Sequence, residues 1–284
     1  MKTMLERGAG ILMPVSSLPS PYGIGTFGSA AYDFVDFLKK ARQKYWQVLP
    51  VGPTSYGDSP YQSFSAFAGN PYFIDLDTLV KEGLLTQDEI NACYWGDNPT
   101  QVAYDAVFWY RFPLLKKAYA RSEYREEQGY EKFCMDSWFW LNDYAFYMAL
   151  KFHFDNKEWP EDIRFRKKEA VESYREELKD EIDFWKFLQY KFYQQWGKLR
   201  AYANEQGISI IGDIPIYVAL DSADVWTHPE LFLLDEENLT PLKVAGVPPD
   251  AFSETGQLWG NPLYRWDVQE KTDFAWWKER MKAS

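Results

Sequence analysis

Two short, uninterrupted apolar runs flanking one amphipathic segment constrain this chain more than any other feature. The first, Ile11-Leu12-Met13-Pro14-Val15, is bounded by Gly10 and by the turn-rich stretch from Ser16 to Pro21. The second is Tyr45-Trp46-Gln47-Val48-Leu49-Pro50-Val51. Runs of this length and character suit strands buried on both faces of a parallel sheet. Between them Ala31, Phe34, Leu38 and Ala41 recur at helical spacing, with Ser29 placed to cap the helix. The expected product is a βαβ unit with parallel strands and a right-handed crossover. A third strand is expected in the apolar run from Ile208 to Ile216, and Gly207 before it is placed to end a long helix as its C′ residue.

Between these strands the character changes. From about Lys81 to Asn204 the pattern is helical throughout. Its clearest stripe is Leu178, Ile182, Trp185, Leu188, Phe192, Trp196 and Leu199, and another runs through Trp138, Leu141, Tyr144, Ala145 and Met148. The charge-rich stretch Glu169 to Glu181 reads as a solvated helix face, and the basic cluster Arg164 to Lys168 is bracketed by acids. The region from Leu220 to Pro262 is rich in glycine and proline and reads as loop. A last helix from Asp273 to Lys282 carries Phe274, Trp277 and Met281. Three parts follow: 1–80 with the first strands and a cleft loop, 81–204 as a helical insertion, and 205–284 with the third strand, a long loop and the final helix.

Charge and cysteine content restrict the function. The chain of 284 residues carries a net charge of −11, which argues against nucleic acid as a partner. No apolar stretch approaches the roughly 20 residues needed to span a bilayer, so no membrane association is expected. Cys93 and Cys134 have no metal-ligand spacing, and His153 and His228 lie far apart, so no metal site is expected. Lys2, Glu6 and Arg7 interrupt the start, no secretory leader is visible, and the expected location is the cytoplasm. In that setting the sequon Asn238-Leu239-Thr240 reads as a chance match. Aromatic residues make up 19% of the chain, a share that needs a reason.

Several segments carry candidate chemistry. Gly23-Ile24-Gly25-Thr26-Phe27-Gly28 fits a dinucleotide fingerprint, but that motif must follow its strand directly and have an acid about 20 residues on. Neither condition is met, so these glycines read as shaping a loop. The segment Gly52 to Asn70 is polar and glycine-bearing yet rich in rings. Aromatic faces beside carboxylates and amides suit sugars, whose C–H faces lie on rings while their hydroxyls hydrogen-bond. Tyr56 and Tyr61 are candidates for that role, whereas Phe64 and Phe67 read as core. Asp213 ends an apolar run, where an unpaired carboxylate is costly; both a functional role and a structural anchor fit it. The long segment Val247 to Pro262 mixes rings, acids and amides and reads as a lid or binding loop.

These segments together resemble the amylomaltase family of 4-α-glucanotransferases, or disproportionating enzymes, glycoside hydrolase family 77. The resemblance lies in Gly10-Ile11-Leu12 through Pro19, Tyr22-Gly23-Ile24-Gly25, Trp46-Gln47-Val48-Leu49-Pro50 and Tyr56-Gly57-Asp58-Ser59-Pro60-Tyr61-Gln62-Ser63. It continues through Gly212-Asp213-Ile214-Pro215-Ile216, Gly246-Val247-Pro248-Pro249-Asp250 and Gly256-Gln257-Leu258-Trp259-Gly260-Asn261-Pro262-Leu263-Tyr264. It implies an α/β fold, a (β/α)8 TIM barrel with helical insertions, acting on α-1,4-glucans (maltooligosaccharides, starch or glycogen) with no metal or organic cofactor. A retaining mechanism would use an Asp nucleophile and a Glu acid/base, a glucan acceptor replacing water in the second step. By the same resemblance Tyr61, Asp213, Asp250, Gln257 and Trp259 look like substrate contacts, and Tyr56 and Tyr104 like a secondary glucan site.

One departure qualifies this. In the family the nucleophile lies in an Arg-Ile-Asp-His-Phe-Arg-Gly motif on the strand after the helix that here begins near Asp273. The 284 residues contain no such motif and no Asp-His pair. The expectation is therefore an amino-terminal portion, an incomplete barrel of the first strands only. It would hold substrate contacts and none of the three catalytic carboxylates, and would be inactive alone. A non-catalytic α-glucan-binding module, or half of a split enzyme partnered by the missing carboxy-terminal half, is the alternative. A hydrolase of a related barrel family fits less well, because the loop motifs match transferases in order and spacing. Three strands cannot close a barrel, so an open edge prone to association is expected.

Overall fold

The computed structural model describes residues 7–55, 57–155 and 158–283. In chain order the elements are β1 (Gly10–Leu12), α1 (Ser29–Lys40), β2 (Tyr45–Gln47), α2 (Leu76–Lys81), α3 (Gln87–Asn91), α4 (Tyr104–Arg121), α5 (Gln128–Asp136) and α6 (Leu141–His153). There follow α7 (Glu161–Arg164), α8 (Lys168–Glu177), α9 (Lys179–Glu205), β3 (Ser209–Ile211), α10 (Ala223–Thr227), β4 (Val244–Val247), β5 (Gln257–Pro262), α11 (Trp266–Lys271) and α12 (Ala275–Ala283). Among the described residues no strand interrupts the helices between β2 and β3, as the sequence predicts. No described helix is long and apolar enough to cross a membrane. The chain forms two compact units, each assembled from three separate stretches.

The first unit comprises Met1–Val51, Gly69–Met135 and Phe187–Asp213. It holds the parallel sheet, in the order β1-β2-β3. Register places Ile11, Trp46 and Ile210 in one row, and Leu12, Gln47 and Ile211 in the next. Successive side chains point to opposite faces, so the first row shares one face and the second the other. Trp46 is fully buried, edge-on to Phe34 of α1 with ring centroids 5.1 Å apart, and its indole donates to the Met13 carbonyl. Leu12 and Ile211 are 52% and 44% exposed, so the expectation of strands buried on both faces is corrected. The Trp46 face carries α1 through Phe34.

Local chemistry explains the rest of this unit. Gly28, not Ser29, caps α1. A Cβ on Gly28 would lie 2.1 Å from Asp75 Oδ1, so the site needs a residue without one. Val35 takes the buried place expected of Ala41, which lies past the helix and is exposed. A Cβ on Gly25 would sit 1.9 Å from the Val15 carbonyl oxygen, so this glycine permits close backbone approach and no nucleotide need be invoked. Every residue of the long stripe from Leu178 to Leu199 is buried along α9 or at its start. Gln189 brackets Gly69, accepting from its N–H at 2.7 Å and donating to its carbonyl at 2.9 Å. Gln195 does the same for Asp75. At Gly207 (φ +79°) the N–H donates to Asn204 and that of Ile208 to Ala203, which completes a Schellman C-cap.

The second unit comprises Gly52–Ala68, Asp136–Lys186 and Ile214–Ser284. The apolar stripe of α6 is buried, but Trp138 stands before the helix and is 73% exposed; Trp140 is the buried indole. In the basic cluster Arg164 pairs with Glu158 and Lys167 with Glu161, acids close by in sequence, whereas Arg166 pairs with Asp143 of α6. A second apolar cluster gathers Val218, Val225, Leu231, Phe232, Leu234 and Tyr264. The region predicted as loop from Leu220 to Pro262 contains α10 and an antiparallel pair, β4 with β5. The final helix also differs from expectation. Phe274 and Met281 are exposed, while Arg280 is buried with its guanidinium 5.0 Å from the Trp277 ring centroid and bonded to the Pro215 carbonyl. Glycine and proline frequency had hidden the strands, and the buried arginine's cation–π and carbonyl contacts leave no mark in sequence periodicity.

Candidate active-cleft loops

The segment Gly52–Ala68 returns on itself. Thr54 bridges to Ser63, and Ser55 N–H donates to the Gln62 carbonyl, so two arms pair at the base of a tongue. Positive φ at Gly57 and Asp58 supplies the reversal. Tyr61 lies on the returning arm, 44% exposed. Tyr56 lies outside the described residues. The root of the tongue is fixed by polar and aromatic contacts. Ser65 Oγ accepts from the N–H groups of Phe67 and Ala68, and Ala66 N–H donates to Asp224 Oδ2 at 2.7 Å. Phe67 packs edge-on against Phe139 and Trp276, as its core assignment predicts. Lys151 Nζ sits 4.9 Å from the Phe64 ring centroid and pairs with Asp221 at 2.6 Å, and Tyr147 donates to the same carboxylate.

The segment Val247 to Pro262 is the far end of the β4–β5 hairpin. Gly246 faces Leu258 and Val247 faces Gln257. A Cβ on Gly246 would lie 2.5 Å from the Gln257 carbonyl oxygen, so the tight pairing there depends on glycine. At the tip, Asp250 Oδ1 accepts from the N–H groups of Phe252 and Ser253, an Asx turn that commits this oxygen locally. Gln257 and Trp259 lie two residues apart on β5 and share a face. The indole N–H donates to Gln257 Oε1 at 3.0 Å, leaving Trp259 40% exposed. Behind it, Tyr217 lies 6.3 Å from the indole and stacks on Tyr264 at 5.9 Å. Tyr264 donates to the Ile216 carbonyl, and burial pushes its hydroxyl up to about 12.

Of the sequence-predicted residues, Tyr61, Asp250, Gln257 and Trp259 belong to this second unit. The arm carrying Tyr61 is joined to β5 through Gln62, whose Nε2 donates to Asn261 Oδ1 at 3.1 Å and, at 3.5 Å, to the Trp259 carbonyl. Asp250 satisfies its own turn instead. Asp213 and Tyr104 belong to the first unit. Asp213 follows β3 and is half-buried; Tyr104 opens α4 with its ring 6.4 Å from that of Tyr72. Sequence reasoning missed Tyr217, Asn261 and Asp224 as supports. Asn261 lies within the Gly256–Tyr264 motif, and Asp224, three residues after Asp221, marks a polar helix start readable in the sequence. Burial raises the Asp224 carboxyl above the usual range.

Chemically, these loops offer rings for the C–H faces of a sugar, with amide and carboxylate groups for its hydroxyls. Among the described residues no group of three or more His, Cys, Asp or Glu side chains could hold a metal ion.

Comparison with known proteins places these features in context. A family model described as 4-alpha-glucanotransferase matches residues 13–284. A 4-alpha-glucanotransferase from Clostridium butyricum is 56% identical over 275 residues, covering 96% of this chain and 56% of the relative. One from Thermus thermophilus is 48% identical over 287 residues, covering 99% of this chain and 56% of the relative. The chain thus spans about half the length of the curated relatives it matches. Among solved structures, an amylomaltase from Streptococcus agalactiae in complex with acarbose superposes with a TM-score of 0.93 at 48% identity, over 98% of this chain and 57% of that one. An amylomaltase from Corynebacterium glutamicum, 17% identical, shares the fold with a TM-score of 0.73 over 97% of this chain and 39% of its own.

Proposed function

The chain belongs to the 4-alpha-glucanotransferase family, an enzyme family, and on that premise we propose that it forms the glucan-holding part of an enzyme that transfers α-1,4-glucan segments between maltooligosaccharides by a retaining double displacement. Tyr61, Asp213, Asp250, Gln257 and Trp259 contact the substrate, and Tyr56 and Tyr104 form a secondary glucan site. The nucleophile, the acid/base and the stabilising Asp come from sequence outside these 284 residues. The observation that carries this is the exposed Trp259 ring, held by Gln257 on one side and backed by Tyr217 on the other. A large ring kept open to solvent by dedicated contacts suits a ligand with an apolar face. The likeness to an amylomaltase solved with acarbose supports the same ligand class.

The parallel order β1-β2-β3 supports an incomplete (β/α)8 barrel. In that architecture residues 1–80 and 205–284 supply strands and cleft loops, and 81–204 an insertion. A cytoplasmic location is part of the same proposal. Coverage of 56% of its relatives favours the missing carboxy-terminal half as a partner. Calorimetric titration of the 284-residue chain with maltoheptaose, beside a maltotriose disproportionation assay, tests the proposal. Saturable heat without product is expected, with turnover appearing when a polypeptide corresponding to the unmatched part of the relatives is added. Turnover by the 284 residues alone, abolished by Asp213→Ala, would overturn the assignment of the catalytic groups.

A further inference from the structure

Gln62 and Asn261 form a reciprocal amide pair between two loops that carry rings. Gln62 Nε2 donates to Asn261 Oδ1 at 3.1 Å, and Asn261 Nδ2 returns a longer bond of 3.5 Å to Gln62 Oε1. The orientation of Asn261 is not free. Its Nδ2 also donates to the Val218 carbonyl at 2.9 Å, and the residue is 4% exposed. With Nδ2 so committed, Oδ1 must face Gln62, and only a donor satisfies it there. Gln62 is such a donor, and the same Nε2 reaches the Trp259 carbonyl. Tyr61 is the residue before Gln62, while Trp259 lies two before Asn261 on β5. The pair therefore ties the backbone beneath one candidate sugar platform to the backbone beneath the other.

We propose that Gln62 and Asn261 are positioning residues that set the spacing of Tyr61 and Trp259, and through it the register of the bound glucan. Their role presupposes the glucan-binding function proposed above. Neither touches sugar. They act by holding two rings at a separation that a stiff α-1,4-linked chain can span, so that ordering cost is met before the ligand arrives.

The informative variant is Gln62→Glu. It keeps size and shape, and its ionised form turns an oxygen toward the Asn261 Oδ1 and the Trp259 carbonyl, where the single Nε2 group made both bonds. Facing acceptor oxygens raises the pKa of the introduced carboxyl, and its protonated form donates again. Maltoheptaose affinity is measured by calorimetry at about pH 8 and about pH 5.5, for the wild-type chain and the variant. Amide hydrogen exchange over residues 59–63 and 257–261 is followed in the same samples. The variant is expected to bind about tenfold more weakly at the higher pH and to recover at the lower, with exchange in both segments rising and falling in step. Wild-type affinity is expected to stay flat between the two. A variant that binds like wild type at both pH values, or that is weakened equally at both, overturns the positioning role and leaves the glucan reading standing. A wild-type chain that takes up no maltoheptaose overturns the glucan reading, and the positioning role with it.

Discussion

The indole N–H of Trp259 donates to Gln257 Oε1 at 3.0 Å, so that an amide two residues back along β5 sets the angle of an exposed ring. A free indole would have to give up rotamer freedom on meeting a ligand. Here that freedom is already restricted. Gln257→Ala is expected to weaken maltoheptaose binding about tenfold, and Gln257→Glu, which keeps the acceptor, to weaken it less. Trp259→Ala is expected to weaken it more than either. Titration calorimetry on the three variants checks the order.

Asp224 is buried and receives the Ala66 N–H at 2.7 Å. Asp224→Ala leaves that N–H unpaired and is expected to cost about 2 kcal/mol by urea denaturation. The pH dependence has an unusual sign for an acid. Burial raises its pKa in the folded state, so its favourable contribution is complete below the unfolded value and is lost as pH rises through the folded one. Asp224→Asn is expected to remove this one contribution, so that the difference in stability between wild type and variant changes in favour of the wild type as pH falls through the acid range.

Glu127 gathers Lys191 at 2.8 Å, Tyr190 at 2.8 Å and Gln194 at 3.1 Å. Burial opposes its charge, but these donors outweigh it and hold the carboxyl below the usual range. A lowered folded pKa gives stability that is present above the unfolded value of about 4.3 and lost as pH falls below it. Glu127→Gln is expected to flatten that acid limb and to cost about 2 kcal/mol, since Lys191 is buried and retains Glu82 at 3.2 Å. Equilibrium unfolding between about pH 7 and about pH 2.5 measures both effects.

Two glycines separate steric need from conformational need. A Cβ on Gly25 meets the Val15 carbonyl oxygen at 1.9 Å, whereas one on Gly207 (φ +79°) meets nothing within 4 Å. Gly207→Ala is expected to cost about 1 kcal/mol, the usual penalty for a left-handed residue. Gly25→Ala requires backbone to move and is expected to abolish cooperative unfolding of the first unit. Thermal melts of the two variants distinguish the cases.

The open-edge expectation is likewise testable. Among the described residues β1 and β3 each have a paired neighbour on one side only of the three-stranded sheet, and Leu12 and Ile211 are exposed. Sedimentation of the 284-residue chain is expected to show association that grows with concentration.

Much of this was legible in one dimension because it depends on local patterns. The apolar runs around Ile11, Trp46 and Ile210 announced parallel strands, the stripe from Leu178 to Leu199 announced α9, and Gly207 announced where it stops. Each follows from backbone periodicity and the steric needs of single residues. The motifs around Tyr61, Asp213 and Trp259 pointed to the 4-alpha-glucanotransferase family for a related reason: each is a short string of neighbouring residues, readable without knowing how the chain folds. Tertiary structure decided what depends on partners distant along the chain. The long segment after Val247 is a hairpin because β4 pairs with β5, a match that its glycines and prolines concealed. Arg280 is buried because two tryptophans and a carbonyl surround it, and Gln189 and Gln195 are interior because each satisfies a loop backbone far away. Asn261 has a role only because the Val218 carbonyl fixes its orientation toward Gln62. Periodicity records which face of an element is apolar; whether a polar group can be buried depends on the donor or acceptor that folding brings to meet it.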